Sequence, residues 1–194
     1  MPINFDLEAL RTDTGCVLYF ETGLADPRRD VSCRKALAAG FRKVYSLELN
    51  PEWIELGRRE FKDYLDCGVL KLIHDDSNNL GRYLNDQDFA ERTLFYLDAH
   101  VDRPDVDKLQ AMNRCPLLNE LMAIGELSRK DHVICVDDVR KLRKPFPWDE
   151  KTYGNIDFLQ ATRDQITAIN TRYRFKYLDG YKKDDVLVAW VEAA

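Results

Sequence analysis

The 194-residue chain has no apolar run longer than a strand, no C-x-x-C pair, no G-x-G-x-x-G turn and no surplus of positive charge. The first absence excludes a membrane-spanning helix, which needs about 20 consecutive apolar residues. The second removes the usual zinc and dithiol spacings. The third argues against a dinucleotide, whose pyrophosphate requires close backbone approach. A formal net charge of -5 gives no electrostatic reason to sit on nucleic acid or anionic lipid. Met1-Pro2-Ile3-Asn4-Phe5-Asp6 lacks the basic and apolar regions of a secretory leader. Cys16, Cys33, Cys67, Cys115 and Cys135 are an odd, dispersed set, the pattern of reduced thiols. The expectation is a cytoplasmic protein that partners neither membrane nor nucleic acid. With 45% hydrophobic residues, the chain has enough apolar material for one core, so residues 1–194 read as one domain.

Apolar runs alternate with helical periodicity. Val17–Phe20, Val44–Leu49, Val69–His74, Thr93–Leu97 and His132–Val136 read as strands. Between them, Val31–Ala39 reads as a helix ended by Gly40, and a second runs from the Asn50 cap to about Asp66, with Trp53, Leu56, Phe61 and Leu65 near one face. A polar helix is expected around Leu80–Leu84, a further one over Leu117–Leu127, and a last over Ile156–Ile169. Val101–Arg114 and Arg140–Tyr153 read as long loops; Phe146, Trp148 and Tyr153 in the latter are a core cover or a substrate lid. Five strands alternating with helices imply a doubly wound, mostly parallel α/β sheet. Phe175–Leu178 and Val186–Val191 lie too close for a crossover helix and should close a seven-stranded sheet as an antiparallel hairpin.

Ligands bind at the carboxyl ends of strands in such sheets. There the chain sets Glu21-Thr22-Gly23, Glu48, Asp75-Asp76-Ser77, Asp98-Ala99-His100 and Asp137-Asp138. A single acid at such a place is ordinarily a helix cap, and Asp75 or Asp76 can be only that. Five acidic ends together are a rim. An acid ending the second strand can accept both hydroxyls of a ribose, which gives Glu48 that role. The first turn holds one glycine and Pro27, poor for a pyrophosphate; an opening acid suits a positive amino or sulfonium group. Asp137 and Asp138 should diverge in role, because neighbours in an extended segment point opposite ways. Arg140 pairs with this cluster or clamps an anionic substrate. His74 and His132 read as structural and surface residues, and Trp53 and Trp190 as core.

These residues resemble the class I S-adenosylmethionine-dependent methyltransferases, over roughly residues 15 to 191. The resemblance implies a Rossmann-like methyltransferase fold, with Glu21, Thr22 and Gly23 at the amino-acid part of S-adenosylmethionine, and Glu48 at its ribose. It sets Asp75, Asp76 and Ser77 near the adenine and Asp98 facing the methyl group. A more distant likeness is to the metal-dependent catechol-type O-methyltransferases. It implies Asp98, Asp137 and Asp138 as ligands of Mg²⁺ or another divalent cation, with Asp98 and His100 as catalytic residues. Leu117-Leu118-Asn119-Glu120 matches the helix that family carries between those acids. The texture of Glu-Thr-Gly, Leu-Asp-Ala-His, Cys-Pro-Leu-Leu and Val-Asp-Asp-Val-Arg is similar to small bacterial and phage methyltransferase-like proteins.

The function so implied is transfer of a methyl group to a small-molecule acceptor, O-directed, with or without a divalent ion. The glycine-poor first turn motivates a second expectation, a non-catalytic binding or assembly module on the same fold. A nicotinamide-dependent oxidoreductase is disfavoured by the missing G-x-G-x-x-G.

Overall fold

The computed structural model describes residues 3–100, 115–143 and 156–192. The two long loops, with Phe146, Trp148 and Tyr153, lie largely or wholly outside the described residues. The strands are β1 (Leu18–Thr22), β2 (Lys43–Glu48), β3 (Leu70–His74), β4 (Thr93–Leu97), β5 (Val133–Val136), β6 (Arg174–Leu178) and β7 (Val186–Trp190). They form one sheet in the order β3-β2-β1-β4-β5-β7-β6. The first five are parallel; β7 runs antiparallel to both β5 and β6. The mostly parallel, doubly wound α/β sheet with a closing hairpin is thus as the sequence implies.

Every residue of β1, β4 and β5 is buried, as central strands covered on both faces require. The edge strand β6 is mostly half-buried or exposed. One face packs Tyr19, Val44, Leu94, Tyr96, Val133 and Cys135 under α1 (Leu7–Thr14) and α2 (Ser32–Ala38). The other packs Phe20, Leu47, Phe95, Leu97 and Val136 under a 3₁₀ turn (Ser77–Arg82), α5 (Leu117–Glu126) and α7 (Phe158–Ile169). Each fully buried leucine or phenylalanine contributes roughly 2 kcal/mol by removal from water.

Several elements differ from the sequence reading. α1 was not anticipated: Asp6 caps it by accepting from Ala9 N, Gly15 closes it at φ +67°, and only Leu7 and Leu10 are buried. The helix after Asn50 breaks at Phe61 into α3 (Pro51–Glu60) and α4 (Lys62–Asp66), because Phe61 leaves helical geometry at φ -114°, ψ 23°. Its buried side is Ile54, Gly57 and Phe61, with Trp53 only half-buried; Trp190 is likewise half-buried against the core. The polar helix placed at Leu80–Leu84 is the 3₁₀ turn, set earlier by Asp76, whose carboxylate accepts from Asn78 N. The loop expected from Arg140 begins as a short helix, α6 (Val139–Leu142), because Val139 and Leu142 are buried.

Candidate active site

The chain runs β1-β2-β3 toward one edge, then returns past β1 to β4, so the strand order switches between β1 and β4. A crevice opens at such a switch, outside the carboxyl ends of the two strands. Thr22 ends β1 there and Asp98 follows β4, with Asp98 N donating to Thr22 O. Gly23 is required at this point. Its φ is +89°, and a Cβ would lie 2.6 Å from the Asp98 carbonyl oxygen.

Glu48, at the end of β2, lies beside that turn. Its Oε2 accepts from Ala25 N at 3.0 Å and its Oε1 from Asn50 N at 2.7 Å. Burial raises its pKa, and the two amides oppose the rise. Ala25 itself is left-handed, at φ 60°, so the first turn is bent tightly around this carboxylate. Glu21 is more deeply placed. Its carboxyl is fully buried and accepts from Ser46 Oγ at 2.6 Å, Ser32 Oγ at 2.6 Å and the Tyr19 hydroxyl at 3.2 Å. Burial pushes it up to about 7, against those hydroxyls. Glu21 therefore ties β1, β2 and the start of α2 together beneath the turn. After β3, Asp75 accepts from Asp76 N, Asn79 Nδ2 and the Tyr83 hydroxyl, while Asp76 caps the 3₁₀ turn that Ser77 opens.

At the far side of the switch, Asp98, His100 and Asp138 converge. His100 Nε2 lies 3.0 Å from Asp138 Oδ2 and 3.7 Å from Asp98 Oδ1, and its side chain is 2% exposed. Burial works against an imidazolium, but the hydrogen bond to Asp138 and the charge of Asp98 outweigh it, and the pKa is raised. Asp138 is also buried, yet His100, Lys141 and Arg140 hold it well below the ordinary carboxylate range. Lys141 Nζ reaches it at 2.5 Å.

Asp137 turns the other way, as adjacent extended residues should. Its Oδ2 accepts from the Tyr96 hydroxyl at 2.6 Å and its Oδ1 from Asp138 N at 2.6 Å. Burial and the nearby Asp98 push its pKa up. The expected ligand set Asp98, Asp137 and Asp138 is thus divided between two overlapping groups among the described residues, Asp98–His100–Asp138 and Asp137–Asp138–Asp185; in each, one donor atom per residue lies within 4.8 Å of the others. Asp185 was not singled out in the sequence. It opens β7's approach, is 1% exposed, and holds α6 by accepting from Arg140 N and pairing with the Arg140 guanidinium. Arg140 is an ion-pair partner of Asp138 and Asp185.

Glu120 was also passed over as a site residue. It lies in the first turn of α5, is 1% exposed, and has Thr22, Ser77, His100 and Asp76 as electrostatic neighbours. The sequence signal available was an acid one turn into an apolar helix, which is ordinarily solvent-facing.

The chain can be superposed on several solved methyltransferases. An O-methyltransferase from Bacillus cereus in complex with S-adenosylhomocysteine matches with TM-score 0.59 at 15% identity, over 96% of this chain and 79% of the other. The fold is that of the class I methyltransferases. A methyltransferase from Podospora anserina, bound to S-adenosylhomocysteine, matches with TM-score 0.55 at 21% identity, over 96% and 76%. The O-methyltransferase of tomaymycin synthesis from Streptomyces achromogenes, in complex with S-adenosylmethionine, gives TM-score 0.56 at 14% identity, over 96% and 78%. No family model and no curated protein matches the chain in sequence.

Proposed function

We propose that this methyltransferase-fold chain binds S-adenosylmethionine and transfers its methyl group to a hydroxyl of a small molecule. The observation that carries the proposal is the convergence of Gly23, Glu48, Asp98 and His100 on the switch between β1 and β4. The residues fit the cofactor on structural grounds: a buried carboxylate beside the bent first turn, and the buried Thr22 Oγ1, which completes no hydrogen bond within the protein. When bound, the cofactor supplies a sulfonium methyl, an electrophile needing only a well-placed nucleophile.

Glu48 orients the ribose. A carboxylate has about four lone-pair directions, so its amide bonds leave room for hydroxyl donors. Asp75, Asp76 and Ser77 border the adenine, Thr22 and Gly23 the amino-acid end. Glu21 acts through the turn it braces. His100, held between Asp98 and Asp138, takes the proton from the acceptor hydroxyl, and Asp98 and Asp138 stabilise the imidazolium so formed.

A second reading is supported by the donor atoms of Asp98, His100 and Asp138, which suit a divalent ion such as Mg²⁺. An ion there would lower the pKa of an acceptor hydroxyl. Arg140 and Lys141 would have to leave Asp138 for it.

The test is incubation with S-adenosylmethionine and a panel of hydroxylated aromatic acceptors, with methylated product detected by mass spectrometry. Acceptor-dependent product is the expected result; cofactor binding without product on any acceptor favours the non-catalytic module. Chelator-treated protein at full rate removes the ion, and loss restored by Mg²⁺ installs it.

A further inference from the structure

The carboxylates of Asp98, Asp137, Asp138 and Asp185 gather with His100 past the ends of β4 and β5 and just ahead of β7. Hard oxygen donors so grouped ordinarily draw a divalent cation. Here the chain's own groups already engage them. Asp138 is shared three ways: His100 Nε2 at 3.0 Å and Lys141 Nζ at 2.5 Å lie on its Oδ2, and Arg140 Nη1 lies 2.5 Å from its Oδ1. Asp185 accepts from Arg140 N on Oδ1 and pairs with the same guanidinium through Oδ2. Asp137 has both oxygens on protein donors, the Tyr96 hydroxyl and Asp138 N.

We propose that Arg140 and Lys141 stand where a divalent ion would, as fixed counter-ions that bar metal from these carboxylates, so that the methyl transfer proceeds without one. The inference rests on the methyl-transfer reading above and decides against its metal-assisted form. Three observations lead to it. Asp138 and Asp185 are each 1% exposed, and carboxylates at that depth require a positive partner, which Arg140 and Lys141 supply. Both cations belong to α6, whose Val139 and Leu142 are buried, so the helix that follows Asp138 presents them to it. And an ion within bonding reach of either Asp138 oxygen would meet an ammonium or a guanidinium 2.5 Å from that same oxygen, charge against like charge. Lys141 shares Asp138 Oδ2 with His100, so its ammonium also sets a permanent positive charge beside the proposed base.

Electron paramagnetic resonance of Mn²⁺ titrated into the intact chain tests this, because only the unbound ion gives the sharp signal. The wild type should leave that signal unchanged up to about millimolar Mn²⁺. Arg140→Ala combined with Lys141→Ala uncovers the acids and should bind Mn²⁺ at least about tenfold more tightly than the wild type, with Kd near 10⁻⁴ M, about that of weak all-oxygen sites. Lys141→Gln leaves Arg140 on Asp138 and Asp185; it should show a smaller gain and serves if the double variant fails to fold. Uptake of Mn²⁺ by the wild type below about millimolar concentration, or no gain in any folded variant, would overturn the counter-ion role while leaving the cofactor reading intact. Calorimetry with S-adenosylhomocysteine on the same samples separates the two: no binding by the wild type would overturn the cofactor reading, whatever the Mn²⁺ result.

Discussion

The two ends of the sheet both bury charge, and they handle it in opposite ways. At the amino end, Arg92 enters the core and donates to three backbone carbonyls, of Thr14, Asp131 and Val191, drawing together the end of α1, the approach to β5 and the exit of β7. Beside it, His132 is 1% exposed, accepts from Thr93 N through Nδ1, and meets Phe95 edge-on at 5.3 Å. Burial and the positive Arg129 push His132 down to about 4. At the carboxyl end, His100 is as deeply buried, yet its acidic neighbours raise it. The same side chain is therefore neutral where cations surround it and favoured as a cation where carboxylates do. The amino end is closed largely by the chain's own carbonyls. The carboxyl end instead gathers the carboxylates of Asp98, Asp137, Asp138 and Asp185 with His100, Arg140 and Lys141 among them.

The largest expected effect is at the rim. Gly23→Val adds a β-branched side chain at φ +89° and drives its Cβ into the Asp98 carbonyl. Titration of the variant should show no cofactor binding at millimolar concentration. Next is His100→Gln, which should lower kcat by about 10²–10⁴ if His100 is the base. In the wild type, kcat/KM should rise with pH to a plateau, with a midpoint above 6.5, because a raised imidazole accepts a proton only after losing its own. A pH–rate profile that is flat through this range would remove His100 from proton transfer.

The amino end should respond in stability instead of activity. Arg92→Met withdraws three hydrogen bonds from buried carbonyls and should cost about 3 kcal/mol in urea unfolding, with cofactor affinity unchanged in the folded protein. His132 has an effect that appears only on acidification and is absent at neutral pH. Its folded pKa is depressed, so the unfolded chain takes up the proton first as pH falls. That contribution is whole above about 6.5 and is lost between 6.5 and about 4, amounting to roughly 3 kcal/mol. His132→Phe should abolish that part of the acid dependence. The raised Glu21 and Glu120 act in the opposite sense, costing stability as pH rises from about 4.5 to 7, so the wild-type and variant curves must be compared by difference.

The element order and the closing hairpin were legible in the sequence because buried strands and amphipathic helices carry their own periodicity. The divergence of Asp137 and Asp138 was legible for the same local reason. α1 was not, since only Leu7 and Leu10 of its eight residues are buried and its signals reduce to the Asp6 cap and Gly15. His132, expected at the surface, is buried by partners distant in sequence: the hydroxyl of Tyr173 donates to its carbonyl, and the Thr93 amide to its ring. Asp185 and Glu120 escaped for that reason too. The hairpin brings Asp185 to α6 across 45 residues, and α5 carries Glu120 back to the end of β1. Local pattern fixes which strands end in acids, whereas which acids meet is decided by tertiary packing.

The most direct test of the rim as a cofactor site is calorimetric titration of the intact chain with S-adenosylhomocysteine, alongside Glu48→Ala. Binding in the micromolar range, weakened at least about tenfold in the variant by loss of the ribose acceptor, is the expected result. No heat of binding at millimolar ligand, or equal affinity in the two proteins, would contradict it.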